Sequence, residues 1–169
     1  LELKPTYIHS MIKPDPFFSL FKTDQILEPS NDLVYKKILS EFILEHGEKK
    51  LQSLDAILFT DPDSDRIGLI CKTNNKSNSS SKKFEFVPGN IIWALLLNFY
   101  LENALKDKSK YNSKYFITKS FVTSDILNAI CKKFKINCIE GSVGFSSLNE
   151  IVKKKWKHNM INIGMFEES

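Results

Sequence analysis

From residue 84 to residue 163, short apolar runs alternate with helix-length segments, and this alternation constrains the fold more than any other feature. Phe84-Glu85-Phe86-Val87 reads as a strand, and Pro88-Gly89-Asn90 as a turn and helix cap. The helix that follows, to about Leu105, is apolar nearly all round and is expected to be buried. Tyr115 to Ile117 reads as the next strand. Ser124 caps a second helix, with Asp125 near its positive end. Asn137-Cys138-Ile139 is another strand, and Gly141 to Gly144 a loop. Ser147-Leu148-Asn149-Glu150 has the S-x-x-E form of a capping box and opens a helix to about Lys157. Met160 to Ile163 is a last strand. Strands and helices alternating in this way assemble as a layered α/β sheet.

The first half is less regular. Its first 30 residues, rich in Pro, Asp and Phe, show no sustained period and read as loops and short strands. Ser30 or Asn31 can cap a helix to about His46, with Leu33, Val34, Ile38, Phe42 and Ile43 on one side. Gly47 then offers a stop. Ala56-Ile57-Leu58-Phe59-Thr60 is a short apolar run ending in Asp61-Pro62-Asp63-Ser64-Asp65-Arg66, and Ile67 to Cys71 resumes it. Strand, loop, strand is the simplest reading. Residues 73 to 83, TNNKSNSSSKK, are too polar to bury a core. They read as a mobile loop and as the best place for a domain boundary.

Composition narrows the function classes. With 42% apolar and 26% charged residues in 169, the chain reads as soluble and globular, with room for one ordinary domain or two small ones. Ile91 to Leu101, the longest apolar stretch, is interrupted by Asn98 and is too short to cross a bilayer, so no membrane partner is expected. Leu1-Glu2-Leu3-Lys4 lacks the order of a signal peptide, and the missing initial Met suggests a processed or excised piece. Cys71, Cys131 and Cys138 sit among apolar neighbours with no metal-type spacing, which suits a reducing, cytoplasmic setting. Net charge is a mild +4. Lys153-Lys154-Lys155-Trp156-Lys157 reads as a solvated helix face; no nucleic-acid motif accompanies it, and no nucleic-acid partner is expected.

Asp61, Asp63 and Asp65 place three oxygen donors within one tight turn, the ligand type that Mg²⁺ and Ca²⁺ prefer. An EF-hand also begins D-x-D-x-D, but it needs Gly at loop position six and Glu at position twelve. Arg66 and Lys72 stand there. An aspartate-nucleophile phosphatase is disfavoured by the third carboxylate. A plain solvated turn is the bland alternative, since Asp, Pro and Ser form turns readily. Against it stands Arg66, the only arginine in the chain. Its planar fork binds phosphate at two points, which lysine cannot copy.

Thr60-Asp61-Pro62-Asp63-Ser64-Asp65-Arg66-Ile67-Gly68 resembles the metal loop of the α-D-phosphohexomutases, the family of phosphoglucomutase and phosphomannomutase. Four further segments fall in that family's order. Pro88-Gly89-Asn90 resembles T-G-N/D, and Lys119-Ser120-Phe121-Val122-Thr123-Ser124-Asp125 resembles K-T-I-V-S-S-D. Val143-Gly144-Phe145 resembles T-G-F-K, and Phe166-Glu167-Glu168-Ser169 resembles the sugar-recognition loop. Pro62 is similar to the branch of phosphoglucomutase-2-like enzymes and phosphopentomutases. Before residue 55 the likeness thins to Pro14-Asp15-Pro16-Phe17-Phe18 and a faint T-x-x-H at Thr6 to His9.

The resemblance implies an internal piece with two layered αβα domains and mixed sheets: domain 2-like over 1–82 and domain 3-like over 83–169. It implies that Asp61, Asp63 and Asp65 hold Mg²⁺ beside a phosphoserine oxygen. The metal would neutralise the phosphoryl group in transit. Arg66 would contact the phosphoserine or the sugar phosphate. Glu167 and Ser169 would bind sugar hydroxyls, and Gly144 would let its loop approach the ligand. The implied partners are sugar phosphates and the remaining domains of a longer chain, with a glucose 1,6-bisphosphate-type activator. Ser146 stands where the family commonly has lysine, Val143 where it has threonine, and Ile91 where it has an acidic residue. No T-A-S-H-type phosphoserine segment and no R-x-S-G-T phosphate loop is present, so the chain alone is expected not to turn over substrate. A phosphopentomutase, or a non-catalytic metal- or sugar-phosphate-binding homologue, are the alternatives.

Overall fold

The structure, a computed structural model, describes residues 4–21, 27–73, 83–103 and 114–168. They fall into two compact units, Leu1–Val87 and Pro88–Ser169.

In the first unit α1 (His9–Ile12), α2 (Asp32–His46) and α3 (Glu48–Ser53) precede β1 (Ala56–Thr60), β2 (Ile67–Thr73) and β3 (Lys83–Val87). The strands form one antiparallel sheet in the order β1-β2-β3. The Asn31 side chain caps α2 by accepting from the Leu33 amide at 2.9 Å, and Gly47, at φ +80°, ends it. Val34, Ile38 and Phe42 of α2 pack with Leu51, Ile57 and Ile70. Leu33 and Ile43, expected on the same side, are exposed instead; the buried stripe follows the i, i+4, i+8 row through Val34. The expectation of only loops and short strands before residue 30 also changes. The amides of His9 and Ser10 both donate to the Glu45 carboxylate at 2.8 Å, so α2 supplies the cap for α1. No local pattern could announce a partner 35 residues away. Residues 83–87, grouped with the second domain on sequence, pair with β2 and lie in the first unit. The polar segment 74–82 lies outside the described residues.

In the second unit α4 (Gly89–Asn103), β4 (Tyr115–Ser120), α5 (Ile126–Phe134), β5 (Asn137–Gly141), α6 (Phe145–Trp156) and β6 (Ile161–Phe166) alternate. The three strands are parallel in the order β5-β4-β6. The step β4-α5-β5 runs one way and β5-α6-β6 runs back across β4, so right-handed crossovers place α5 and α6 on opposite faces. Burial agrees: Ile117 packs with Ala94, Leu97 and Leu101 of α4 and with Leu127 and Cys131 of α5. The buried Phe116 and Thr118 point to the other face by strand alternation, where α6 brings Leu148 and Val152. The expected α/β class is what the chain adopts, with antiparallel pairing in one sheet and parallel pairing in the other.

Two expectations change here. α4 buries Ile92, Ala94, Leu97 and Leu101 but leaves Ile91, Leu95, Leu96, Phe99 and Tyr100 exposed, because a helix laid on one sheet face buries one stripe. Leu105 lies outside the described residues. α6 starts at Phe145, with Gly144 before it, so Ser147 lies inside the first turn and makes no capping box. Among the described residues no helix is long and apolar enough to cross a membrane.

Candidate functional site

The acidic loop is the tip of the β1–β2 hairpin, between the paired residues Thr60 and Ile67. Pro62 and Asp63 are the central residues of a turn closed by the Ser64 amide donating to the Asp61 carbonyl at 3.1 Å. Ser64 takes a left-handed φ of +63°, and its hydroxyl meets that of Thr60 at 3.3 Å. Behind the loop, a Cβ at Gly68 would overlap the Phe59 ring across the ladder, so glycine there lets the aromatic lie flat over the hairpin.

Asp61 is buried and Asp63 and Asp65 are exposed, yet one carboxylate oxygen of each lies within 4.8 Å of the others. Arg66 folds back onto Asp61. Its amide donates to Asp61 Oδ1 at 3.0 Å and its Nε to Oδ2 at 2.8 Å. Nη1 reaches Glu28 Oε1 at 2.9 Å, and Nε stands 3.5 Å from Asp65 Oδ1. Burial acts to raise the Asp61 pKa, but the bonds from the Arg66 amide and guanidinium outweigh it and hold the carboxyl below its ordinary value. Asp65 is shifted the other way, by desolvation, by its hydrogen bond to Asp61 and by repulsion from Asp63 and Asp61. Three hard oxygen donors in mutual repulsion suit a divalent cation, which would relieve that repulsion.

A second cluster forms at the C-terminal edge of the parallel sheet, where loops of an open α/β sheet gather ligands. Both Glu167 carboxylate oxygens accept from the Gly144 amide, at 3.0 and 2.9 Å, at the N-terminus of α6. Gly144 sits at φ +102°, open to glycine alone without strain, and that conformation aims its amide at Glu167. Trp93 Nε1 donates to the Glu167 carbonyl at 3.1 Å. Thr123 Oγ1 donates to the Phe166 carbonyl and accepts from the Glu168 amide, tying β6's end to the β4–α5 loop. Asn90 Oδ1 accepts from the Ser124 amide at 2.8 Å. The Glu168 carboxyl lies over Gly89, where a Cβ would collide with it, and burial raises its pKa. Lys119 is fully buried; Nζ donates to the Thr123 carbonyl at 2.9 Å and pairs with Asp125 at 3.2 Å and Glu140 at 2.9 Å. Burial opposes its charge, but the two carboxylates outweigh burial and raise its pKa.

The fold thus brings Asp61, Asp63, Asp65 and Arg66 together at one hairpin tip, and Gly144 and Glu167 together at one sheet edge. Ser169 lies outside the described residues. Sequence reasoning missed Glu28, which sits in an aperiodic stretch, and the buried pairing of Lys119. A lysine inside an apolar strand was the available signal for the latter.

Residues 88–169 match the family model described as phosphoglucomutase/phosphomannomutase, alpha/beta/alpha domain III. A phosphoglucomutase of Staphylococcus saprophyticus subsp. saprophyticus is 25% identical over 126 residues, covering 73% of this chain and 21% of that protein. The chain therefore spans about a fifth of that relative's length. No solved structure matches the chain. Residues 88–169 are thus similar to domain III of the phosphoglucomutase/phosphomannomutase family, and the described residues of that segment, helices around a parallel sheet, agree with its alpha/beta/alpha description.

Proposed function

We propose that this chain supplies the metal loop and the sugar-recognition loop of a phosphoglucomutase/phosphomannomutase-type enzyme. The longer protein would interconvert sugar 1-phosphates and 6-phosphates by Mg²⁺-dependent phosphotransfer through a phosphoserine, in the cytoplasm, with a sugar bisphosphate as activator. The observation that carries this reading is the domain III match over 88–169 in the same chain as three carboxylates within 4.8 Å. Residues 1–87 would then be the domain 2-like part, in the branch that Pro62 suggests. Asp61, Asp63 and Asp65 would hold Mg²⁺, which neutralises charge on the phosphoryl oxygens when bound. Arg66, already neutralising the buried Asp61, would turn the free edge of its fork to a phosphate oxygen. Glu167, Gly144 and Ser169 would take the sugar, the Glu167 carboxylate accepting from its hydroxyls.

The test is Asp63→Ala in the longer protein, assayed on glucose 1-phosphate with Mg²⁺. Turnover is expected to fall at least about a hundredfold, because the metal supplies several kcal/mol of transition-state stabilisation. Activity that survives the substitution would overturn the assignment. Ribose and mannose phosphates in the same assay separate a phosphopentomutase from a hexose enzyme. The 169-residue chain alone is expected to show no turnover.

A further inference from the structure

Glu28 stands just before α2, in a segment without periodicity, and its carboxylate meets Arg66 Nη1 at 2.9 Å. Arg66 is consequently spanned by two carboxylates, Asp61 on Nε and Glu28 on Nη1. A guanidinium pinned at two points is fixed in plane as well as in position. Two other carboxylates, Asp63 and Asp65, stand nearby and compete for it. Nε is already 3.5 Å from Asp65 Oδ1, and Asp63 and Asp65 lie within 4.8 Å of Asp61. Freed from Glu28, the Nη groups would turn toward Asp65 and Asp63 and cover the oxygens that face outward. We propose that Glu28 is a positioning residue: it draws the Arg66 guanidinium away from Asp63 and Asp65, keeping those carboxylates open for a divalent cation and the fork's other edge open for phosphate. This inference rests on the metal-loop reading above but names a residue outside the loop.

Because Arg66 is the only arginine in these 169 residues, its Nε–H gives the single arginine side-chain signal in a proton–nitrogen spectrum of the 169-residue chain. In the wild type, hindered rotation should resolve the Nη protons; in Glu28→Gln they should collapse into a freely rotating average. Mn²⁺ is the probe for the site. Its dissociation constant should rise about twofold to fivefold in Glu28→Gln, the range of a part-exposed ion pair. In an Arg66→Ala background, Glu28→Gln should change Mn²⁺ affinity by less than about half that factor, since the effect runs through the guanidinium. An equal change in both backgrounds would make Glu28 a distant charge only and overturn the proposal. So would an arginine signal equally restrained in wild type and Glu28→Gln. If Glu28→Gln frees the arginine but the wild type takes up no Mn²⁺, the clamp stands as geometry, while its role in opening a metal site and the metal-loop reading both fail.

Discussion

The hairpin tip and the sheet edge gather charge in opposite ways. At the tip, Asp61, Asp63, Asp65 and Arg66 come from six consecutive residues on one antiparallel turn. At the edge, Asn90, Lys119, Thr123, Gly144 and Glu167 come from three helix starts and two strand ends. The tip holds like charges close and leaves two of them in solvent. The edge satisfies its polar groups with one another: Glu167 on an amide, Lys119 between two carboxylates, Asn90 on Ser124. The lesson is that substitutions at the edge should cost folding, while those at the tip should cost binding and leave folding intact.

Lys119→Ala puts that contrast at most risk. It empties a fully buried site and leaves the Thr123 carbonyl without its donor, an expected loss of about 2–4 kcal/mol. Trp93 and Trp156 both lie in the second unit, so tryptophan fluorescence during urea unfolding follows it. An unchanged midpoint would mean that the edge is not held by this lysine. Lys119→Met keeps the length and should lose less, separating packing from the missing donor. Gly144→Ala comes next. Nothing lies within 4 Å of the added Cβ, so its cost is purely the backbone's, about 1–3 kcal/mol for an L-residue forced to φ +102°. A loss near zero would show that the loop can relax away from Glu167.

The two regions also differ in how far the sequence discloses them. The tip was legible because its whole constellation fits in one window, flanked by apolar runs that read as strands. The edge was legible only where motif resemblance reached it, at Gly144 and Glu167; their hydrogen bond depends on β5 and β6 flanking β4, which no local pattern encodes. Glu28 and the Glu45 cap on α1 share that difficulty, since each acts on a partner more than 30 residues away. The α4 forecast failed for another reason. Apolar content told that the helix could be buried all round, but a three-stranded sheet offers cover on one side only. In α6, the S-x-x-E pattern was overruled by Gly144, which stands at the helix start three residues before Ser147.

The first unit is not insensitive in general. Asn31→Ala removes the α2 cap and should cost about 1 kcal/mol, read from faster amide exchange in α2. A cost well above that would mean that first-unit stability is concentrated at one residue, as the second unit's is expected to be at Lys119.

The smallest effect on folding should come from Asp65→Asn, and its sign is the sharpest test of the contrast. Asp61 and Asp65 pull opposite ways with pH. The Asp61 pKa is depressed in the fold, so its contribution is present above the ordinary aspartate value and lost as pH falls through the folded one. The Asp65 pKa is raised, so the folded chain holds that proton more tightly than the unfolded chain does. Its contribution is present below the ordinary value and lost as pH rises through the folded one. At neutral pH the ionised Asp65 therefore weakens the metal-free hairpin, and the neutral, near-isosteric amide should slow amide exchange in β1 and β2. The same change removes one oxyanion from a three-carboxylate set and should weaken Mg²⁺ or Mn²⁺ binding on the order of tenfold. Saturating Mg²⁺ should then reverse the order, protecting the wild-type hairpin more than the variant, because a bound cation turns the repulsion into attraction. If Asp65→Asn instead speeds exchange in metal-free solution, the tip's carboxylates are held by the fold just as Lys119 is, and the difference between the two regions disappears.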